Sequence, residues 1–273
     1  MELQAVEKNH MNCILSSRCN LFNSGRCNSI CPAYIQIHGA SGESGRVGSM
    51  GIPLEYRFVT LSNSPARESQ LAIYTKLEGY VESFKKLFEE ANPLDTKKRI
   101  RSLYLWSEET GTGKTTLASA LLNEFLAVHY IGYLKKNMQP LQTPAFFLDV
   151  NELQGLYNKF NRPNVPKDIA EAAAQEYYRR IQLTKDSQLV VFDDIGVRAA
   201  TEAFRADLHE VINHRVTQQL PSIYTSNHPM TSLAEVYDKR LYDRVRDLTN
   251  VIEMAGESKR GNRKGTETKG ENN

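Results

Sequence analysis

The chain has 273 residues, enough for one sizeable core and a small extra module but short for two large domains. Hydrophobic residues make up 40% and charged residues 24%, and the formal net charge is +2, so bulk charge gives no argument for nucleic-acid binding and any such binding must come from local patches. No apolar run approaches the roughly 18–20 residues that cross a bilayer, and the opening Met1-Glu2-Leu3-Gln4-Ala5-Val6-Glu7 lacks the basic-then-apolar order of a secretory signal, so a cytosolic protein with no membrane partner is expected.

Residues 1–62 form the first zone, poor in long apolar periodicity and rich in Gly, Ser and Cys. All four cysteines of the chain, Cys13, Cys19, Cys27 and Cys31, lie here. Reduced cytosolic thiols clustered in this way argue for a metal site over disulfides. So small a module cannot bury enough surface to stand alone, which makes a metal staple reasonable. The spacing C-x5-C-x7-C-x3-C is not the common zinc pattern of two close pairs, and His38 is an alternative ligand; free structural cysteines or an iron–sulfur cluster are the other readings.

The second zone, residues 63–255, opens near Ser64-Pro65. Leu71, Tyr74, Leu77, Val81, Phe84 and Phe88 recur at helical spacing, and Asn92-Pro93 disfavours continuation. Four short apolar runs then read as strands, at Leu103–Trp106, Ala145–Val150, Leu189–Phe192 and Ser222–Thr225. Helical patterns separate them, near Lys114–Tyr130, Asn151–Phe160, Lys167–Leu183 and Thr201–Thr217. Such alternation predicts an α/β fold with a parallel sheet flanked by helices.

The first strand runs into Ser107-Glu108-Glu109-Thr110-Gly111-Thr112-Gly113-Lys114-Thr115-Thr116 and then a helix. That is the context of a Walker A phosphate loop. Glycines let backbone N–H groups curl around phosphates, and the helix N-terminus favours an anion. Lys114 is expected to reach the β- and γ-phosphates of ATP and Thr115 to hold Mg²⁺. Glu108 stands where the pattern G-x-x-x-x-G-K-[ST] has its first Gly, which leaves a weakened nucleotide site, or a coincidental Gly-Lys-Thr after a strand, as the competing readings.

Leu189-Val190-Val191-Phe192-Asp193-Asp194 is an apolar strand ending in two carboxylates, placed where a parallel sheet faces its ligand crevice. Asp193 is expected to hold Mg²⁺ and Asp194 to orient or deprotonate the attacking water; a helix N-cap is the plainer alternative. The strand at Ser222 ends in Thr225-Ser226-Asn227, whose Asn could bond the attacking water or merely make a turn. Arg240 and Arg244, four apart, share a face of a basic helix suited to phosphate, or to pairing with Asp238, Asp243 and Asp247. The last zone, residues 256–273, has no aromatic or large apolar residue and leans basic through Lys259, Arg260, Arg263, Lys264 and Lys269, the composition of a disordered tail.

With Gly111–Thr116, Asp193-Asp194-Ile195-Gly196, Thr225-Ser226-Asn227 and Arg240–Arg246 in that order, the chain resembles a bacterial or phage replicative-helicase loader of the DnaC/DnaI type, over roughly residues 66–260. The resemblance implies an AAA+ P-loop NTPase core with a Cys-rich, zinc-binding N-terminal module that docks on the hexameric helicase. It also implies ATPase activity, self-association into a ring or spiral, and single-stranded DNA bound inside it. By that similarity Asn227 looks like sensor 1, Arg244 like the arginine finger with Arg240 beside it, and Arg260 falls where a sensor 2 arginine would. Tyr177-Tyr178-Arg179-Arg180 are candidates to stack on bases and pair with phosphates. Two other readings remain: a transposition-type AAA+ ATPase acting on a transposase, and a non-hydrolysing adaptor whose nucleotide site has decayed.

Overall fold

The structure, a computed structural model, describes residues 13–89, 100–196 and 200–256. Its helices are α1 (Pro32–His38), α2 (Gly45–Ser49), α3 (Leu71–Glu89), α4 (Lys114–Lys135), α5 (Val150–Asn161), α6 (Lys167–Asp186), α7 (Glu202–Thr217), α8 (Leu233–Val236) and α9 (Lys239–Asp247). Its strands are β1 (Ser102–Trp106), β2 (Ala145–Asp149), β3 (Leu189–Asp193), β4 (Ser222–Ser226) and β5 (Thr249–Glu253). They form one parallel sheet in the order β2-β3-β4-β1-β5, with β1 seated between β4 and β5. Four strands fall within a residue of the ends expected from the apolar runs. β5 has only Thr249 and Ile252 buried, so it carries no such run.

Alternation along the strands divides the interior in two, because successive side chains leave opposite faces. Leu103, Leu105, Phe147, Val191 and Ile223 pack one way, against α3 and α4. Tyr104, Phe146, Leu148, Val190, Phe192 and Tyr224 pack the other way, against α5, α6, α7 and α9. A parallel sheet covered on both faces reads as continuous apolar runs, as these strands do. Helix α4 is apolar nearly all round and long enough to cross a membrane by composition, yet it is mostly buried as the central helix of the first core. Asp149, Thr201 and Asp238 accept the free amides at the starts of α5, α7 and α9.

The N-terminal segment is fused to this core. Ile14, Leu15, Ile37, Val47, Met50, Ile52 and Leu61 belong to the same apolar cluster as α3 and α4. Residues near 48–65 therefore pack on the core through Met50, Ile52 and Leu61. The Asn123 amide on α4 donates to the Tyr56 and Val59 carbonyls at 2.9 and 2.8 Å. Met50 O accepts from Phe147 N at 2.7 Å, covering the exposed edge of β2. Gly51 makes that approach possible: its φ is +75°, and a Cβ there would lie 2.9 Å from the Phe147 carbonyl oxygen. A segment too small for its own core thus borrows one, which weakens the argument that only a metal could order it.

Candidate nucleotide site

The loop between β1 and α4 has the backbone of a phosphate cradle. Gly111 and Gly113 sit at φ +76° and +96°, where a side chain would be strained. Glu108 is exposed and is not among the described residues with positive φ, so position 108 makes no demand for glycine here. Thr112 is buried, while Lys114, Thr115 and Thr116 are half-buried at the first turn of α4. The Lys114 ammonium folds over the loop and donates to the carbonyls of Glu109 (2.9 Å) and Ser107 (3.3 Å).

The acidic end of β3 faces the same turn. Thr115 Oγ1 donates to Asp193 Oδ1 and Oδ2 at 3.1 and 3.2 Å. Thr225 Oγ1 donates to Asp193 Oδ1 at 2.7 Å and accepts from Asp194 N at 2.8 Å. Asp193 is 8% exposed, and burial pushes its pKa up to about 6; the Thr225 and Thr115 hydroxyls oppose the rise, and the Asp149 and Asp194 charges add to it. Asp194 is turned into the left-handed region (φ +58°), and its Oδ2 accepts from Asn151 Nδ2 on α5 at 2.8 Å. Asn227 follows β4 directly and is half-buried; its neighbour's carbonyl, Ser226 O, accepts from Ser107 N at 3.2 Å, so β4 ends beside the start of the loop. Loop, hydroxyl and carboxylates therefore converge at the carboxyl ends of β1, β3 and β4, the edge where open parallel sheets bind ligands.

Over 174 residues the chain is 25% identical to the replicative helicase loader DnaI of Bacillus subtilis (strain 168), which takes in 59% of this chain and 48% of that protein. The likeness is to a helicase loader of the DnaC/DnaI type. The match spans about half the length of that relative. A solved DnaI crystal structure superposes with a TM-score of 0.51 at 22% identity, over 79% of this chain and 100% of that one, and shares the fold. The DnaC helicase loader aligns with a TM-score of 0.49 at 18% identity, over 74% of this chain and 100% of that one. No protein-family model matches the chain.

Of the other residues that the loader resemblance singled out, Arg240 and Arg244 are exposed on α9, and neither is hydrogen-bonded to the phosphate loop or the acidic pair. Arg244 instead donates to Asn213 Oδ1 on α7. Arg260 lies outside the described residues, as does most of the 256–273 tail, and so do Asn92 and Pro93. Tyr177 is buried and donates to Asp207 at 2.6 Å. Arg179 and Arg180 are paired with Glu176, and Arg180 also with Glu152. Only Tyr178 of that quartet presents an exposed ring, at 62%.

The four cysteines are free thiols, each half-buried, and all four line one cavity with Leu15, Phe22 and Tyr34. Burial raises the Cys13 pKa to about 11, and the other three thiols add to the rise. Cysteine sulfurs are donors that zinc takes, but among the described residues no three His, Cys, Asp or Glu side chains are drawn together as a metal-binding group. His38 is not part of the cavity lining. It is fully buried, stacked on Phe58 at 4.9 Å, and its Nε2 accepts from Ile14 N at 3.3 Å.

Three residues of the site escaped the sequence reading of roles. Thr225 was visible only as part of Thr-Ser-Asn, with the role given to Asn227. Asn151 belongs to no motif, and Gln70, whose Nε2 reaches Thr112 O at 3.5 Å, sits ahead of the domain's first helix; only their positions in space mark them.

Proposed function

We propose that the protein is an ATP-dependent loader of a hexameric replicative DNA helicase, acting in the cytosol as an AAA+ assembly on single-stranded DNA. The hydrogen bond from Thr115 to Asp193 carries this reading, because it sets the phosphate loop and the acidic strand end on one crevice. The likeness to DnaI supports the loader role. In this scheme the amides of Gly111–Thr116 hold the phosphates of ATP and Lys114 leaves its loop carbonyls for the terminal phosphates. Thr115 and Asp193 would hold Mg²⁺, whose charge offsets that of the phosphates when bound. Asp194 takes a proton from the attacking water or orients it, and Asn227 bonds that water. Arg244, with Arg240 beside it on an exposed helix face, reaches the site of a neighbouring copy, so hydrolysis depends on self-association. Arg260 is proposed to contact the nucleotide within the same copy.

The cysteine cavity is proposed to hold Zn²⁺, for which Cys13, Cys19, Cys27 and Cys31 would be the ligands and which would tie the segment together when bound. Four thiols on one cavity support this. The surface around it is proposed to grip the helicase. Single-stranded DNA would stack on Tyr178, with Arg179 at the rim exchanging Glu176 for phosphate.

The test pairs nucleotide titration with helicase capture. Mg·ATP should bind the native chain and fail to bind Lys114→Ala, and the chain should retain a hexameric replicative helicase in an ATP-dependent manner. Equal, poor binding by both proteins would convert the reading to an adaptor with a decayed site. Capture of a transposase in place of the helicase would favour the transposition-type ATPase. Elemental analysis of the purified chain reports zinc independently.

A further inference from the structure

Three stretches remote in sequence meet beside the last residues of the phosphate loop. Gln70 closes a short 3-10 turn (Glu68–Gln70) ahead of α3 and is 7% exposed. Its Nε2 donates to Ala255 O at 2.6 Å and reaches Thr112 O at 3.5 Å. Ala66 lies so close to Gly113 that a Cβ on the glycine would sit 2.8 Å from Ala66 Cβ, with Met254 Cε at 3.9 Å. Met254 N donates to Trp106 O at 2.8 Å, which lays the chain leaving β5 along the end of β1.

A phosphate loop turns its N–H groups toward the anion, so its carbonyls face away and need donors of their own. Thr112 O is such a carbonyl, and the Gln70 amide is the side-chain donor beside it. The same NH₂ group serves Ala255 O. A glutamine suits the place because its terminal amide carries two N–H donors; a carboxylate of the same shape would set oxygen against both carbonyls.

We infer that Gln70 is a positioning residue for the phosphate loop, holding Thr112 in fixed relation to the chain that leaves β5 at Ala255. Gln70 touches no phosphate; it acts by keeping the Gly111–Gly113 amides in register. The inference rests on the nucleotide reading above.

The experiment compares Gln70→Met, which keeps the bulk and loses the donors, with Gln70→Glu. Each is measured for Mg·ATP affinity, KM, kcat and thermal midpoint. Losing a net hydrogen bond of this kind predicts weakening of Mg·ATP binding by about five- to tenfold in Gln70→Met. KM should rise with kcat within about twofold, the signature of lost ground-state positioning. Gln70→Glu should weaken binding further. A lowered thermal midpoint with unchanged affinity would make Gln70 a packing residue only and overturn the inference. So would native affinity in both variants. Poor ATP binding by the native chain that Lys114→Ala leaves unchanged sinks the nucleotide reading itself, and this inference with it.

Discussion

Thr115 Oγ1 on α4 lies 3.1 Å from Asp193 Oδ1 at the end of β3, although 78 positions separate the two residues. The contact joins a carboxylate whose pKa burial has raised to about 6 to the turn that would present Mg²⁺. A folded pKa above the unfolded value means the folded chain holds that proton more tightly. By itself, Asp193 therefore makes stability fall as pH rises from about 4 to about 6, with no change above. For ligand binding the order reverses, since only the carboxylate holds a cation. Mg·ATP affinity should drop below about pH 6, by up to about tenfold per unit. Asp193→Asn should bind weakly and lack that slope; a native affinity that is flat from pH 7.5 to pH 5 would remove Asp193 from the site.

The departure at Glu108 should matter little. The side chain is exposed and its backbone does not occupy the glycine region. Glu108→Gly is expected to change Mg·ATP affinity by less than about threefold, combining the loss of a screened charge with a small entropic cost. Titration calorimetry at two salt concentrations decides it; a tenfold gain at low salt would show that the carboxylate repels the phosphates.

Asn151 holds Asp194 by a 2.8 Å hydrogen bond to Oδ2. That bond occupies a carboxylate oxygen that would otherwise face the water. Asn151→Ala should leave nucleotide affinity within about twofold and raise basal ATP turnover by about two- to fivefold. A fall in turnover would mean that Asn151 aims Asp194 productively.

How much of this was legible beforehand follows from what each segment buries. The strands carrying Leu103, Phe147, Val191 and Ile223 are apolar on both faces, so contiguous runs betrayed them. Thr249–Glu253 is half-exposed and did not. Gly-Thr-Gly-Lys-Thr after a strand marked the loop because its two glycines, Gly111 and Gly113, take a positive φ that few other residues adopt. The N-terminal packing was opaque, since Ile14, Ile37, Met50 and Leu61 meet α3 and α4 through loops that have no period. The pairing of Arg179 and Arg180 could have been foreseen: Glu176 precedes them by three and four positions on a helix. No local pattern could have shown that Thr225, more than Asn227, touches Asp193.

Arg18, between Cys13 and Cys19, donates to Glu124 Oε2 on α4 at 2.7 Å, with side-chain exposures of 19% and 6%. Glu124 Oε1 also accepts from Leu61 N at 3.3 Å. Removing Arg18 leaves a buried carboxylate with a backbone donor alone. Arg18→Met should cost about 2–4 kcal/mol in urea unfolding, at the low end for buried pairs because Arg18 is partly solvated. Arg18→Met combined with Glu124→Leu should recover most of that loss, since no charge is then stranded. A single-variant cost below about 0.5 kcal/mol would mean that water already serves Glu124.

His129 on α4 sets a limit at acid pH. It is fully buried, stacked on Tyr133 at 4.1 Å and edge-on to Phe88, and neither ring nitrogen has a hydrogen-bond partner among the described residues. Burial lowers its pKa to about 4, with the Arg46 charge adding, and burial lowers His38 to about 4 as well. A depressed histidine binds its proton less readily folded than unfolded. Each therefore contributes stability that is complete above about pH 6.5 and is lost as pH falls toward about 4. The loss is up to roughly 3 kcal/mol per group across that window, and two such groups outweigh the opposite slope of Asp193. His129→Phe fills the same aromatic pocket without a titrating ring. It should be close to neutral or stabilising at pH 7.5 and clearly stabilising at pH 5, in denaturant titrations at the two pH values. An equal shift at both would show that folded His129 takes up its proton as readily as the unfolded chain does, and would transfer the acid sensitivity to His38.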